Sequence, residues 1–290
     1  MTYNDIWRRI AAATGDGGES RAVARMLLEE KFGMTMADII CGAVERLSDA
    51  DAAWLADAVD RLCKAEPVQY VLGGAWFCGM RFGVRPGALI PRPETEWLVT
   101  EAVRWAASAV VGGARPLRLL DIGTGSGCIA ISIKKRVPDA YVEAWDVSDE
   151  ALSIAADNAR TLGADVHFVH RDALCAMPGG QEWDCIVSNP PYICQHERKD
   201  MHRNVLDYEP ATALFVPDDD PLLFYRAITR HAVRTLRPGG RLMFECNTRH
   251  ADDTARMMGD EGMVRVAVCD DCFGMKRFAM GVASPLRHPQ

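Results

Sequence analysis

Leu119-Leu120-Asp121-Ile122-Gly123-Thr124-Gly125-Ser126-Gly127-Cys128 is an apolar run that ends in three glycines at alternate positions, and a helical pattern follows it. Glycines there let the backbone pass close to a ligand without a Cβ in the way, and strand, glycine turn and helix in that order open a parallel sheet. Residues 118–121 read as the first strand and 128–136 as the helix. The spacing GxGxG differs from the dinucleotide form GxGxxG, and no Lys-Ser/Thr follows it. A nucleoside-type ligand is therefore favoured over a pyrophosphate.

Downstream, short apolar runs at 141–145, 166–169, 185–188 and 241–246 alternate with helical patterns at 150–162, 221–236 and 251–262. Alternation of this kind predicts an α/β fold, a doubly wound and mostly parallel sheet. Two last runs, 264–269 and 276–282, close it as a hairpin or as neighbouring antiparallel strands. The second strand ends at Asp146, whose carboxylate can accept both hydroxyls of a ribose, and the third is followed by Asp172, which could accept from an adenine amino group. Each Asp reads equally well as the cap of the next helix or turn. Capping does not require a glycine loop, an Asp and another Asp on three successive strands, whereas a shared adenosine site does.

The fourth strand runs into Val187-Ser188-Asn189-Pro190-Pro191-Tyr192. Two prolines fix two φ angles and remove two donors, so the segment is a rigid loop. Asn189 offers one acceptor and two donors, and Tyr192 a flat face and a hydroxyl. Together they suit a planar group bearing an NH2. The bland alternative, a strand-ending turn, does not account for its place beside the inferred adenosine pocket.

Upstream, residues 1–72 read as a small helical domain. Ser20 caps a helix with Val23, Met26 and Leu27 on one face, and Gly33 stops it. Thr35 caps a second with Ile40, Val44 and Leu47 inward. Ser48-Asp49-Ala50-Asp51 starts a third, with Leu55, Val59 and Leu62 inward. Pro67 closes the helical region, 70–82 reads as short strands or a hairpin, and 73–86 is taken as the linker. The third region spans 87–290. It begins with Ile90-Pro91-Arg92-Pro93-Glu94-Thr95-Glu96, a proline-stiffened loop leading into a helix to about residue 109. A helix start is sufficient explanation for Glu94 and Glu96, where the dipole favours acids.

The 290 residues are 49% apolar and 25% charged, ordinary for a globular protein, and no apolar run approaches the roughly 20 residues that span a bilayer. Met1 to Gly15 carries an early acid, Asp5, and no signal-like apolar core, so a cytoplasmic protein is expected. Ten cysteines at irregular intervals read as reduced thiols. The single CxxC, Cys269 and Cys272, lacks a second pair or a His at ligand spacing, and no metal is expected. A net charge of −7 weighs against affinity built on neutralising phosphates. His170 and His196, the imidazoles nearest the inferred site in sequence, read as surface or loop residues.

The glycine loop, the acidic strand ends and Asn189-Pro190-Pro191-Tyr192 resemble the Rossmann-like S-adenosylmethionine-dependent methyltransferases that modify a planar nitrogen. Further segments extend the resemblance over nearly the whole chain. Pro67-Val68-Gln69-Tyr70-Val71-Leu72-Gly73, the Phe77-Cys78-Gly79 turn, residues 90–96 and Tyr208-Glu209-Pro210-Ala211-Thr212-Ala213-Leu214 resemble the release factor glutamine methyltransferases, the PrmC/HemK family.

The resemblance implies a helical domain that holds a peptide chain release factor and a methyltransferase domain that modifies the glutamine of its Gly-Gly-Gln loop. It implies that S-adenosyl-L-methionine contacts Gly123, Thr124, Gly125, Ser126 and Gly127, with Asp146 at its ribose, Asp172 and Ala173 at its adenine, and Asn189 also against it. Asn189, Pro190, Pro191 and Tyr192 then hold the glutamine, and S-adenosyl-L-homocysteine is the product. Ala173 departs from members that carry a tryptophan there, and Cys246-Asn247-Thr248 has no clear counterpart. In the implied chemistry Asn189 Oδ1 and the Pro190 carbonyl accept the two amide protons while Tyr192 packs on the amide plane. Direct nucleic-acid binding and membrane association are not expected. Two rivals share the Asn189–Tyr192 loop: a glutamine methyltransferase acting on a large-subunit ribosomal protein, and a nucleic-acid adenine-N6 methyltransferase acting on a flipped base.

Overall fold

The computed structural model describes residues 1–15, 17–110, 115–175 and 182–285, so the last five residues of the predicted region 87–290 lie outside the described part. The chain forms two compact units. One comprises Met1–Ala75, Val84–Pro86 and Met201–Glu209; the other comprises Trp76–Gly83, Gly87–Asp200 and Pro210–Gln290.

The first unit opens with a helix that the periodicity analysis does not separate, α1 (Tyr3–Thr14). Thr2 and Asp5 form a reciprocal capping box at its start, and Ile6 and Ile10 are buried. In α2 (Gly17–Phe32) the predicted cap Ser20 lies inside the first turn and is buried, while Ala24, Leu27 and Leu28 face the core. Thr35 does cap α3 (Met36–Ile40), through a reciprocal pair with Asp38. The predicted inward face of that helix needs correction: Ile40 is 76% exposed and Ile39 is buried instead. The helix breaks at Gly42, whose φ of 77° leads into the 3-10 turn Ala43–Arg46 and returns Val44 to the core.

Ser48 caps α4 (Asp49–Cys63), which buries Leu55, Ala58, Val59 and Leu62. Pro67 does not close the helical region; it begins one more helix, α5 (Val68–Leu72), at an end where its missing N–H costs no intrahelical bond. Val68 and Val71 join the same core.

A tight hairpin follows, β1 (Gly74–Phe77) and β2 (Met80–Gly83), within the predicted strand region. Its turn is Cys78-Gly79, both at positive φ, 53° and 76°, which matches the strand twist. Then the turn Pro93–Thr95 enters α6 (Glu96–Val110), as expected from residues 90–96.

The second unit is an alternating sheet: β3 (Arg118–Ile122), α7 (Cys128–Arg136), β4 (Tyr141–Asp146), α8 (Asp149–Leu162), β5 (His167–His170) and β6 (Trp183–Ser188). A parallel pair of short bridges joins β7 (Ile193–Cys194) and β8 (Phe215–Val216); between them in sequence come α9 (Arg203–Leu206), which belongs to the first unit, and α10 (Ala211–Leu214). The chain ends in α11 (Leu223–Thr235), β9 (Leu236–Glu245), α12 (Ala251–Asp260), β10 (Met263–Asp270) and β11 (Lys276–Ala283). Strand order is β10-β11-β9-β6-β3-β4-β5. The pairs β6/β9, β3/β6, β3/β4 and β4/β5 are parallel, and β11 is antiparallel to both its neighbours.

Each strand feeds two cores by alternation. Leu119, Val187 and Met243 pack with Leu98 and Ile131 on one face, and Leu120, Ile186 and Phe244 with Tyr225 and Ile228 on the other. Connections run outward in both directions from β3 and β6. The crevice beyond the carboxyl ends of these two strands is the switch point where open sheets bind ligands.

Candidate functional site

At that switch point a cleft opens to solvent at the carboxyl edge of the sheet, where small-molecule sites of open α/β sheets lie. Ile122, Gly123 and Gly125 line it from β3, Asp146 and Val147 from β4, Asp172 and Ala173 after β5, and Ser188 to Pro191 after β6. A smaller cavity adjoins it, lined by Pro91, Arg92, Thr95, Thr124 and Ser126 among others. Asn189, Gly123 and Gly125 line both.

The glycine loop turns through three left-handed residues, Gly123, Gly125 and Gly127, with φ of 75°, 55° and 80°. Their purposes differ. No atom lies within 4 Å of where a Cβ on Gly125 would stand, so the loop there borders open space. A Cβ on Gly127 would meet Ile131 Cδ1 at 2.9 Å and Ala155 Cβ at 3.0 Å. Gly127 therefore serves close packing of α7 on α8 and does not line either cavity, in contrast with its predicted ligand contact.

Asp121 lies under the loop with both oxygens inside the protein. Thr124 Oγ1 donates to its Oδ2 at 2.7 Å and the Ala130 N–H at 3.2 Å, while Oδ1 has no partner among the described residues. Burial drives its carboxyl up to about 7, against those two hydrogen bonds. Asp146 accepts the Gly125 N–H at 2.8 Å and the Ser148 N–H at 3.0 Å, which ties the loop to the end of β4. Burial raises its carboxyl as well, opposed by these backbone donors. Asp172 accepts the Leu174 N–H at 2.8 Å. Both aspartates thus make the local turn bonds of the bland reading and also border the cleft.

Ser188 Oγ donates to the Ile122 carbonyl at 2.6 Å, locking the end of β6 to the end of β3 just before Asn189. Asn189 Nδ2 donates to Thr95 Oγ1 at 3.3 Å, and Thr95 Oγ1 donates to Glu245 Oε2 at 2.6 Å. Tyr192 is half-buried and lines neither cavity; its hydroxyl donates to Glu245 Oε1 at 3.2 Å, so the side chain anchors the loop to the end of β9. Asn247 Nδ2 donates to the Tyr192 carbonyl at 3.1 Å and braces the same loop.

Comparison with known proteins decides the family. Residues 113–209 match the family described as methyltransferase small domain, and residues 5–73 match the one described as PrmC N-terminal domain. A release factor glutamine methyltransferase of Bacteroides thetaiotaomicron is 46% identical over 260 residues, covering 89% of this chain and 91% of that protein. The chain belongs to the release factor glutamine methyltransferase family. Another relative of that name, from Flavobacterium psychrophilum, is 38% identical over 95% of this chain and 96% of its own length. A crystal structure of a methyltransferase from Pyrococcus furiosus covers 71% of this chain and 90% of that one, with a TM-score of 0.51 and 17% identity, which shows a shared fold.

For a member of this family, several residues of the site escape motif reading. Thr95 belongs to the segment 90–96, read as a stiff loop and helix start with no role for Thr95 itself, and Glu245 closes a strand 150 residues away; both are buried. Phe224 and Ile228 on α11 also face the cleft. Apolar periodicity places them in a helix, and nothing in it separates a cleft-facing position from a core one. Asn158 on α8 holds the Gly83 backbone at both its N–H and its carbonyl and donates to the Ser126 carbonyl, so one buried amide joins β2, α8 and the glycine loop.

His170 pairs with Asp149 at 2.9 Å and His196 with Asp218 at 2.8 Å; both are exposed and neither lines the cleft. Cys194, His196 and Asp218 do bring potential ligand atoms within 4.8 Å of one another, a grouping that sequence spacing did not suggest. Its members have loop-bracing work already: the His196 backbone and ring bond Asp218, and the Cys194 N–H bonds Glu197.

Proposed function

We propose that the protein transfers a methyl group from S-adenosyl-L-methionine to the side-chain amide nitrogen, N5, of the glutamine in the Gly-Gly-Gln loop of peptide chain release factors. The observation that carries this reading is the convergence of Asn189-Pro190 and the acidic strand ends on one cleft, in a chain of this family. Relatives that cover nine-tenths of the chain bear the release factor name, and the match over residues 5–73 extends it to the helical unit. The ribosomal-protein and adenine-N6 alternatives are not favoured. Residues 1–72 hold the release factor in this reading, and residues 87–290 carry the methyl transfer, with 73–86 as the link. No helix among the described residues is long and apolar enough to cross a membrane, and the work is assigned to the cytoplasm, where release factors act.

The cleft fits the cofactor by its donor set and its shape. Open space beside Gly125 leaves room for a ligand against the loop backbone. Asp146 accepts the Gly125 N–H on one oxygen and the Ser148 N–H on the other, and a carboxylate so held keeps acceptor capacity for a ribose hydroxyl. Asp172 and Ala173 border the part assigned to the adenine, and Phe224 offers an aromatic face in the cleft where Ala173 has none. When bound, S-adenosyl-L-methionine supplies a methyl group already activated on a positively charged sulfur.

The protein's own task is the nucleophile. An amide nitrogen shares its lone pair with the carbonyl and is a poor donor of it. Asn189 Oδ1 and the Pro190 carbonyl accept hydrogen bonds from the two amide N–H groups and hold the nitrogen in line; once the N–C bond has formed, one of those protons is lost to water and the product amide is neutral. These hydrogen bonds strengthen as positive charge builds on nitrogen, so they favour the transition state over the ground state. Pro190 and Pro191 keep the loop rigid, and Tyr192 tethers it to Glu245.

The test offers methyl-labelled cofactor with a release factor, the same factor with its loop glutamine replaced, a large-subunit ribosomal protein, and DNA. Label on the intact release factor alone is the expected result; label on DNA or the ribosomal protein overturns the reading.

A further inference from the structure

We propose that Glu245 and Thr95 are positioning residues that fix which end of the Asn189 amide faces the acceptor. The proposal rests on the assignment of Asn189 as the group that accepts an amide proton, and it adds the reason that Asn189 presents oxygen.

An Asn amide has two nearly isosteric ends with opposite hydrogen-bonding character, and only one of them suits an NH2 nucleophile. Turned the wrong way, it would set NH2 against NH2. The direction is set two residues back. Glu245 is 2% exposed and, as a carboxylate, can only accept. Thr95 is 3% exposed and has a single hydroxyl hydrogen, which goes to Glu245 Oε2 at 2.6 Å. Its oxygen is then left to accept, and the group it accepts from is Asn189 Nδ2 at 3.3 Å. With the NH2 end spent on Thr95, Asn189 Oδ1 is the end left for the acceptor amide. Tyr192 donates to the other Glu245 oxygen at 3.2 Å, so the same carboxylate fixes the loop and the polarity of its first residue.

The chain position of each part explains why the relay is rigid. Thr95 ends the proline-stiffened turn Pro93–Thr95, and Glu245 is the last residue of β9, paired with Phe278 of β11. Both lie on backbone that cannot swing away. Burial raises the Glu245 carboxyl, while the Thr95 and Tyr192 hydrogen bonds and the nearby Arg277 charge pull it back.

The test measures kcat and cofactor Kd for Thr95→Val, Thr95→Ser, Glu245→Gln, Asn189→Ala and the double variant Thr95→Val/Asn189→Ala. Thr95→Val removes the acceptor at constant volume and is expected to lower kcat by about tenfold to a hundredfold, with cofactor Kd and acceptor KM little changed. Thr95→Ser restores most of that loss. Glu245→Gln, which can donate as well as accept, lowers kcat in the same direction. In the Asn189→Ala background, Thr95→Val has almost no further effect, because nothing is left to orient. A purely structural role predicts instead a loss of cofactor affinity and an undiminished effect of Thr95→Val in the double variant, which overturns the proposal. Wild-type kcat in Thr95→Val beside a dead Asn189→Ala overturns the relay alone. Wild-type kcat in Asn189→Ala overturns the clamp on which it rests. Should Thr95→Val fail to bind cofactor, Glu245→Gln decides: wild-type kcat there overturns the proposal.

Discussion

Asn189 and Asp146 separate the two tasks of the cleft. Asn189 lies between the two cavities and Asp146 on the wall of the larger one, tied to the loop through Gly125. Asn189→Ala is expected to lower kcat by about 10²–10³-fold while cofactor affinity by calorimetry stays within a few-fold. Equal losses in both would mean that the residue serves the cofactor. Asp146→Ala should do the reverse, weakening cofactor binding about tenfold to a hundredfold, as expected for losing a charged hydrogen-bond acceptor. An unchanged Kd would remove the ribose assignment. Which residues reach the site was partly legible in the sequence. Gly123, Gly125, Asp146, Asp172, Ala173 and Asn189 to Pro191 all border the cleft, because a strand's end and the first loop residues must emerge at the sheet edge. Tyr192 and Gly127 belong to the motifs but do not line the cleft, Tyr192 bonding Glu245 and Gly127 packing against Ile131 and Ala155, contacts that a motif's residue order does not give. Thr95, Phe224 and Glu245 could not be read, for their partners lie far away in the chain.

At the scale of elements, boundaries followed local chemistry where that chemistry was strong. Thr35, Ser48 and the run from Cys128 to Arg136 sit where their caps and periodicity put them. Misreadings occur where a local signal has two outcomes. Pro67 reads as a stop but starts a helix, α4 having already ended at Cys63. The strand expected at 241–246 begins at Leu236 and runs through Pro238-Gly239-Gly240, with an irregular register against β6 between Trp183 and Cys185. The register jumps from Leu236 opposite Trp183 to Arg241 opposite Cys185, so residues 237–240 bulge out of the ladder at the Pro and Gly, and regular pairing resumes at Arg241. Asn158 is the test of how the elements are joined. Asn158→Ala leaves the Gly83 N–H and the Gly83 and Ser126 carbonyls without their side-chain partner, at an expected cost of about 2–3 kcal/mol in urea unfolding. A change below about 0.5 kcal/mol would show that water replaces the bonds without loss.

For the molecule as a whole, all ten cysteines are free thiols, so stability rests on packing and hydrogen bonding. One buried histidine links that stability to pH. His231 is 1% exposed on α11, its centroid 5.3 Å from that of Trp145, and neither nitrogen has a partner among the described residues. Burial lowers its pKa from 6.5 to about 4. The native state keeps it neutral while the unfolded chain takes up a proton first, so its contribution is constant above pH 6.5 and is lost as pH falls toward 4. Between pH 7 and 5 the wild type should lose about 2 kcal/mol more stability than His231→Leu, read from denaturant midpoints. Equal losses would place the imidazole's proton in solvent contact.

The whole account turns on which atom receives the methyl group. Fragmentation mass spectrometry of a release factor, incubated with the protein and S-adenosyl-L-methionine, locates that atom directly. The account predicts the added methyl on the side-chain nitrogen of the glutamine in the Gly-Gly-Gln loop, and nearly none with Asn189→Ala. A methyl found on another residue of the factor, or on that glutamine at an undiminished rate with Asn189→Ala, would contradict it.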